Sequence, residues 1–307
     1  MLMKKWILKA IVQKVISVLP YRHRINHLFQ QYVTRGVRLS DAYLEDKLIH
    51  FQKHRGFYVE SGKTLSGKEV LELGTGWYPV IPLCFFLSGT EKITTVDISP
   101  LLTAEKLKIT LKQLSLAASD GRLQKFFSPD PQRLKTMLSL SEKMDWNLRD
   151  MLEALHIRYL VTDARKLPLN PESLDLIVSN NTFEHIYPNI LAEILAEFKR
   201  LLRPGGMMSH FIDMSDHFAH LDTGITIYNF LRFSEKNWGW IDNSIQPQNR
   251  WRISHYRHLY KKLGIPVSKE ENRPGDLAQL RSVPIHKDFK DLPEGEIAVS
   301  HSYLVSE

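Results

Sequence analysis

Cysteine is almost missing. Cys84 is the only one in 307 residues, which excludes an internal disulfide framework and a cysteine-based zinc site. A reducing cytosol suits such a chain, and a cytoplasmic protein is expected. Long apolar runs are missing too. No stretch reaches the roughly 18 uncharged apolar residues of a spanning helix. The nearest, MLMKKWILKAIVQKVISVLP at residues 1–20, is interrupted by Lys4, Lys5, Lys9 and Lys14. No small-residue cleavage site follows it, so it reads poorly as a signal peptide. Internal repeats and low-complexity segments are also lacking.

What remains is ordinary for a soluble globular protein, with 43% hydrophobic and 24% charged residues. The net charge of +7 suits an anionic partner: a membrane surface, a nucleic acid or a phosphorylated substrate. It also suits a mildly basic enzyme with no such partner. In the first 20 residues, Ile7, Leu8, Ile11, Val15, Val18 and Leu19 share one helical face, and Lys5, Lys9, Gln13 and Ser17 share the other. Such a basic amphipathic helix is expected to cap the core of the domain that follows. Peripheral contact with a membrane is the alternative.

Residues 1–66 read as a helical region. Pro20 ends the first helix, a second covers roughly 22–34, and Ser40 or Asp41 caps a third over AYLEDKLIHFQKH. From residue 67 the pattern changes. KEVLEL (68–73), KITTVDIS (92–99), IRYLVTDA (157–164), LDLIVSNN (174–181) and GMMSHFID (206–213) read as strands. Helical patterns separate them, so a parallel sheet covered on both faces is expected. IPVSKE and IAVSHSYLVS read as two further strands after the helix RISHYRHLYKKLG. Insertions are expected near 100–156 and 214–249, within a second region running from 67 to 307.

Ligands of open parallel sheets bind at the carboxyl ends of the strands. Those ends carry Glu72-Leu73-Gly74-Thr75-Gly76, Asp97, Asp163, Asn180-Asn181 and Asp213. Glycines let the backbone approach a ligand and adopt turns closed to other residues. Asp97 lies at the offset of a ribose-binding acid. Nicotinamide enzymes share that much. Their G-x-G-x-x-G turn, however, needs glycine where this chain has Pro79, and Glu72 suits a cation better than a pyrophosphate.

Taken together, ELGTG at 72–76, VDI at 96–98, TDA at 162–164, FEHI at 183–186 and LLRPGG at 201–206 resemble the class I S-adenosylmethionine-dependent methyltransferases, small-molecule branch. The resemblance implies an α/β fold: a Rossmann-like, seven-stranded, mostly parallel sheet with its last strand antiparallel and helices on both faces. It implies S-adenosyl-L-methionine as cofactor. Glu72, Gly74, Thr75 and Gly76 would line the methionine moiety. Asp97 and Ile98 would hold the ribose, Asp163 and Ala164 would lie by the adenine, and Asn180 would lie beside the cleft. Tyr78 stands where the family often has a third glycine.

Transfer to a hydroxyl needs a base. HFIDMSDHFAHLD at 210–222 offers Asp213, Asp216, His217, His220 and Asp222; Asp213 and His217 are the expected pair, with His185 as a further candidate. The competing structural reading is helix capping and packing. No metal site is expected, because no compact ligand spacing is present. The aromatics and arginines of 224–257 fit either an acceptor pocket or the core of an insert. The expected activity is methyl transfer, chiefly to oxygen, on a small-molecule or lipid- or glycan-linked acceptor. An RNA or protein methyltransferase is the first alternative, disfavoured by the dispersed basic residues. An inactive, membrane-associated partner protein is the second. Oligomeric state is not encoded in any motif.

Overall fold

A computed structural model describes residues 4–20, 38–143, 145 and 147–307. The helix expected over about 22–34 lies outside the described residues.

Seven strands form one sheet: β1 (Glu69–Leu73), β2 (Lys92–Asp97), β3 (Ile157–Val161), β4 (Leu174–Asn180), β5 (Leu202–Asp213), β6 (Lys269–Arg273) and β7 (His301–Ser306), in the order β3-β2-β1-β4-β5-β7-β6. The pairs β1–β2, β1–β4 and β2–β3 are parallel. The fold is thus the expected α/β sheet with flanking helices. Strand order reverses between β1 and β4, which creates the crevice where such sheets hold ligands.

Three strand boundaries differ from expectation. The Pro-Gly-Gly segment lies inside β5, with Gly205 at φ +73°, not in a turn before it. Ile265-Pro266-Val267 precede β6 instead of forming it. Ile297 and Ala298 close a short helix, Glu294–Ala298, because Pro293 starts a helical turn there.

The chain forms two compact units. One comprises Arg38–Asn180, Glu193–His210 and Val305–Glu307, the other Met1–Val37, Asn181–Ala192 and Phe211–Leu304. The first may be termed the sheet unit, since it holds β1 to β4. Its helix α1 (Asp41–Glu60) starts at Ser40, whose side chain accepts from the Tyr43 amide. Helix α2 (Val80–Leu87) is buried over all eight residues. That is why VIPLCFFL carries no polar face: it is surrounded by protein. Phe51 meets Phe85 and Phe127 edge-on at 5.0 and 4.8 Å. Fully burying one such ring contributes about 1.5–3 kcal/mol. The long insertion after β2 is helical, with Ala104–Ser119, Pro131–Glu142 and Leu148–Ala154.

The second unit has a largely aromatic core: Phe218, Tyr228, Phe230, Trp238 and Phe289, with Trp6 from the first helix, α3 (Lys5–Ser17). Most of the aromatics of 224–257 are therefore core, not an open pocket. Their arginines bind backbone carbonyls. Arg250 donates to Phe230 O at 3.1 Å, and the fully buried Arg252 to Met214 O at 2.5 Å.

Candidate active site

In the sheet unit, β1 ends on Glu72 and Leu73 and turns at once. Gly74 and Gly76 take φ +89° and +64°. At Gly76 a Cβ would meet nothing within 4 Å, so the backbone angle, not crowding, demands glycine there. The turn is pinned to β2. Gly74 N donates to Val96 O at 2.8 Å, and Gly76 N to Asp97 Oδ2 at 3.0 Å. The other Asp97 oxygen accepts from Ser99 N at 3.1 Å. Burial raises the Asp97 carboxyl, partly offset by these amides. Ile98 beside it is 72% exposed, an apolar surface suited to a nucleoside face.

Glu72 is buried, and Thr95 Oγ1 donates to it at 2.9 Å. Thr75 Oγ1 lies 2.6 Å from the same hydroxyl. Burial pushes the Glu72 carboxyl up to about 8, despite Thr95 and the Lys47 charge. A cation brought beside it would favour ionisation. Tyr78 does not disrupt the turn. Its ring meets Tyr43 edge-on at 6.3 Å, and its carbonyl accepts from Val80 N at 2.8 Å as α2 begins. Lys106 Nζ sits 3.5 Å from the Trp77 ring centroid.

Asp163 is less available than its motif implies. Arg165 clamps it through Nε and Nη2, the latter at 2.6 Å, and holds its carboxyl below the usual range. Ala164 next to it is buried. Asn180 is also engaged: its Oδ1 lies 2.9 Å from His54 Nε2, and His54 Nδ1 lies 2.7 Å from Ser209 Oγ. Burial lowers His54 to about 3, so the ring is neutral. This network was missed in the sequence. Its signal was His50 and His54, four residues apart, on the face α1 buries.

The second unit holds the histidine cluster. His217 Nε2 lies 3.2 Å from Asp213 Oδ2, and His301 Nε2 lies 3.4 Å from Asp213 Oδ1. An ionised carboxylate only accepts, so His217 Nε2 carries the proton and Nδ1 is the basic nitrogen. Burial would raise Asp213, but the His217 bond and charge, His301 and Ser215 together hold it well below the carboxylate range. His185 meets His217 edge-on at 4.9 Å, and its Nδ1 lies 2.7 Å from Pro247 O. Burial, with the His217 charge, lowers His185 to about 4. His185 is therefore a neutral, positioned ring.

The neighbours have structural roles. Asp216 accepts from Phe218 N and Asn229 Nδ2. Asp222 accepts from Trp6 N and Gly224 N. His220 stacks on His217 at 5.4 Å. The fold also gathers what spacing did not show. Ligand atoms of Glu184, His185 and His217 all lie within 4.8 Å of one another. A small recess of about 10 Å³ borders His217 and is lined by Lys9, Gln13, Asp242, Gln246 and Gln248.

Comparison with known proteins gives a match over part of the chain. A family model described as a methyltransferase domain matches residues 114–209. That stretch carries TDA, FEHI and LLRPGG, so the match falls on motifs that resemble a methyltransferase. Solved structures of similar fold include an S-adenosylmethionine-dependent methyltransferase from Mesorhizobium loti, with 12% identity over 82% of this chain and 95% of that one, TM-score 0.41. Another is the geranyl diphosphate C-methyltransferase of Streptomyces coelicolor in complex with Mg²⁺, geranyl diphosphate and S-adenosyl-L-homocysteine. It has 11% identity over 89% and 86% of the two chains, TM-score 0.44. No curated protein matched the sequence.

Proposed function

We propose that the protein methylates a hydroxyl oxygen on a small polar or glycan-like headgroup, free or lipid-linked, with His217 as general base and Asp213 as its orienting partner. The His217–Asp213 contact of 3.2 Å carries this reading. The cofactor supplies an electrophilic methyl on a sulfonium. Glu72 answers that positive charge, Gly74, Thr75 and Gly76 let the backbone approach, and Asp97 and Ile98 hold the ribose. His217 Nδ1 would take the proton of the acceptor hydroxyl, and bound S-adenosylmethionine would supply the methyl group. Asp213 stabilises the imidazolium that forms. The amides of Gln13, Gln246 and Gln248 with Asp242, grouped beside His217, can donate and accept at once, which suits a hydroxyl-rich acceptor. Peripheral membrane contact through residues 1–20 belongs to the same reading, because Lys9 and Gln13 of α3 line the recess beside His217.

A screen of hydroxylated acceptors with labelled cofactor tests it. Label in an O-methyl product, lost on His217→Ala with cofactor affinity intact, supports it. Product methylated on nitrogen or carbon overturns it.

A second reading rests on Glu184, His185 and His217. Their ligand atoms can converge on one divalent ion. Each histidine's other nitrogen faces an acceptor, Pro247 O or Asp213, as in metal sites. Activity abolished by a chelator and restored by Zn²⁺ or Mn²⁺ would favour it over the free base.

A further inference from the structure

The apolar face of α3 is not the face that docks. The helix turns Trp6, Ala10, Gln13, Ile16 and Ser17 inward. Trp6 lies 6.1 Å from Phe218 and 6.0 Å from Phe233, ring to ring. Gln13 Nε2 donates to Gln246 Oε1 at 3.0 Å. The aliphatic stripe points the other way. Leu8 is 51% exposed, Ile11 48%, Val15 54% and Val18 79%. The expected cap is therefore correct for the helix and wrong for the face. Beside it lies α4 (Glu235–Ile241). Lys14 Nζ binds Gly239 O at 2.9 Å, and the next residue, Trp240, is 76% exposed. Lys236 stands one turn before Trp240 and is exposed.

We infer that this stripe, with Trp240, is a docking surface for an anionic lipid bilayer. This deepens the membrane part of the reading above and does not depend on the base assignment. The physical reasons are three. Aliphatic residues at intervals of three and four, left in water, form the buried half of an interfacial helix. Tryptophan favours the boundary between headgroup and acyl chain. The charge at the start of the helix has one sign: Lys4 and Lys5 are exposed there, and residues 1–20 contain no acid. A second copy docking by the same stripe would bring those lysines together, whereas anionic headgroups answer them. No helix among the described residues is long and apolar enough to cross a membrane, so α3 lies in the plane.

The test is co-sedimentation of the full chain with vesicles of phosphatidylcholine alone and with 30% phosphatidylglycerol (roughly physiological in charge). The comparison is the triple variant Leu8→Ser, Ile11→Ser, Val15→Ser, and Trp240→Ser separately. These side chains face solvent, so folding survives, and unchanged S-adenosylhomocysteine affinity verifies that. The expected result is binding to the anionic vesicles, weakened at least tenfold by the triple variant and severalfold by Trp240→Ser. Three outcomes overturn the inference: no binding of the wild type, binding that the triple variant leaves unchanged, or a wild-type dimer that the triple variant makes monomeric. The last would assign the stripe to a second copy. None of the three touches the methyltransferase reading, which the affinity control follows.

Discussion

The sheet unit and the histidine cluster build their sites in opposite ways. In the sheet unit every cofactor candidate sits at or just past the end of a strand, and backbone geometry does most of the holding: two positive-φ glycines and amides aimed at Asp97. In the other unit side chains hold side chains. Asp213 is flanked by His217 and His301, and His185 rests on a carbonyl. A site made by backbone tolerates changes in its neighbours but not in its glycines. A site made by side chains fails when one member is removed.

That contrast can be broken most sharply at His217. His217→Ala should lower the methyl-transfer rate by about 10²- to 10⁴-fold while leaving S-adenosylhomocysteine affinity unchanged by calorimetry. Asp213→Asn should act in the same direction by releasing the tautomer. Retention of full activity in both would remove the base from this unit.

Next in size comes a glycine of the second unit. A Cβ on Gly275 would collide with Ala298 O and the Tyr228 hydroxyl, at φ +72°. Gly275→Ala should therefore destabilise the fold by about 2–4 kcal/mol, seen as a lowered Tm. Gly76→Ala meets open space and should cost only the left-handed angle, about 1–2 kcal/mol. Equal losses at the two positions would contradict the difference in crowding around them.

The smallest effect is electrostatic. Folded Glu72 holds its proton up to about 8, above the ordinary 4.5. The folded state thus binds the proton more tightly than the unfolded chain. Stability from this group is complete below about 4.5 and is lost as pH rises through about 8. Cationic S-adenosylmethionine should gain affinity over neutral S-adenosylhomocysteine across the same window, because it favours the ionised carboxyl. Glu72→Gln should flatten both profiles; an unchanged ratio in the variant would separate Glu72 from the sulfonium.

The same contrast explains what was legible in the sequence. The five main strands could be read because buried β-branched runs alternate with helical periods, and the cofactor turn because its residues are contiguous from Glu72 to Gly76. The Asp163 clamp was harder: Arg165 is two residues away, but nothing in the string says its side chain folds back. His54 with Asn180, and Glu184 with His217, are brought together across the fold, and spacing carries no such information. The α3 face misled for another reason. Hydropathy marks where apolar residues point, not what they point at.

The central claim is that the turn from Glu72 to Gly76, with Asp97, holds the nucleoside. Calorimetric titration of the wild type and Asp97→Ala with S-adenosylhomocysteine tests it most directly. The account predicts saturable micromolar binding, weakened in the variant by about 1–3 kcal/mol, the usual loss of charge-assisted hydrogen bonds. Equal affinity in the two proteins, both folded, would contradict it.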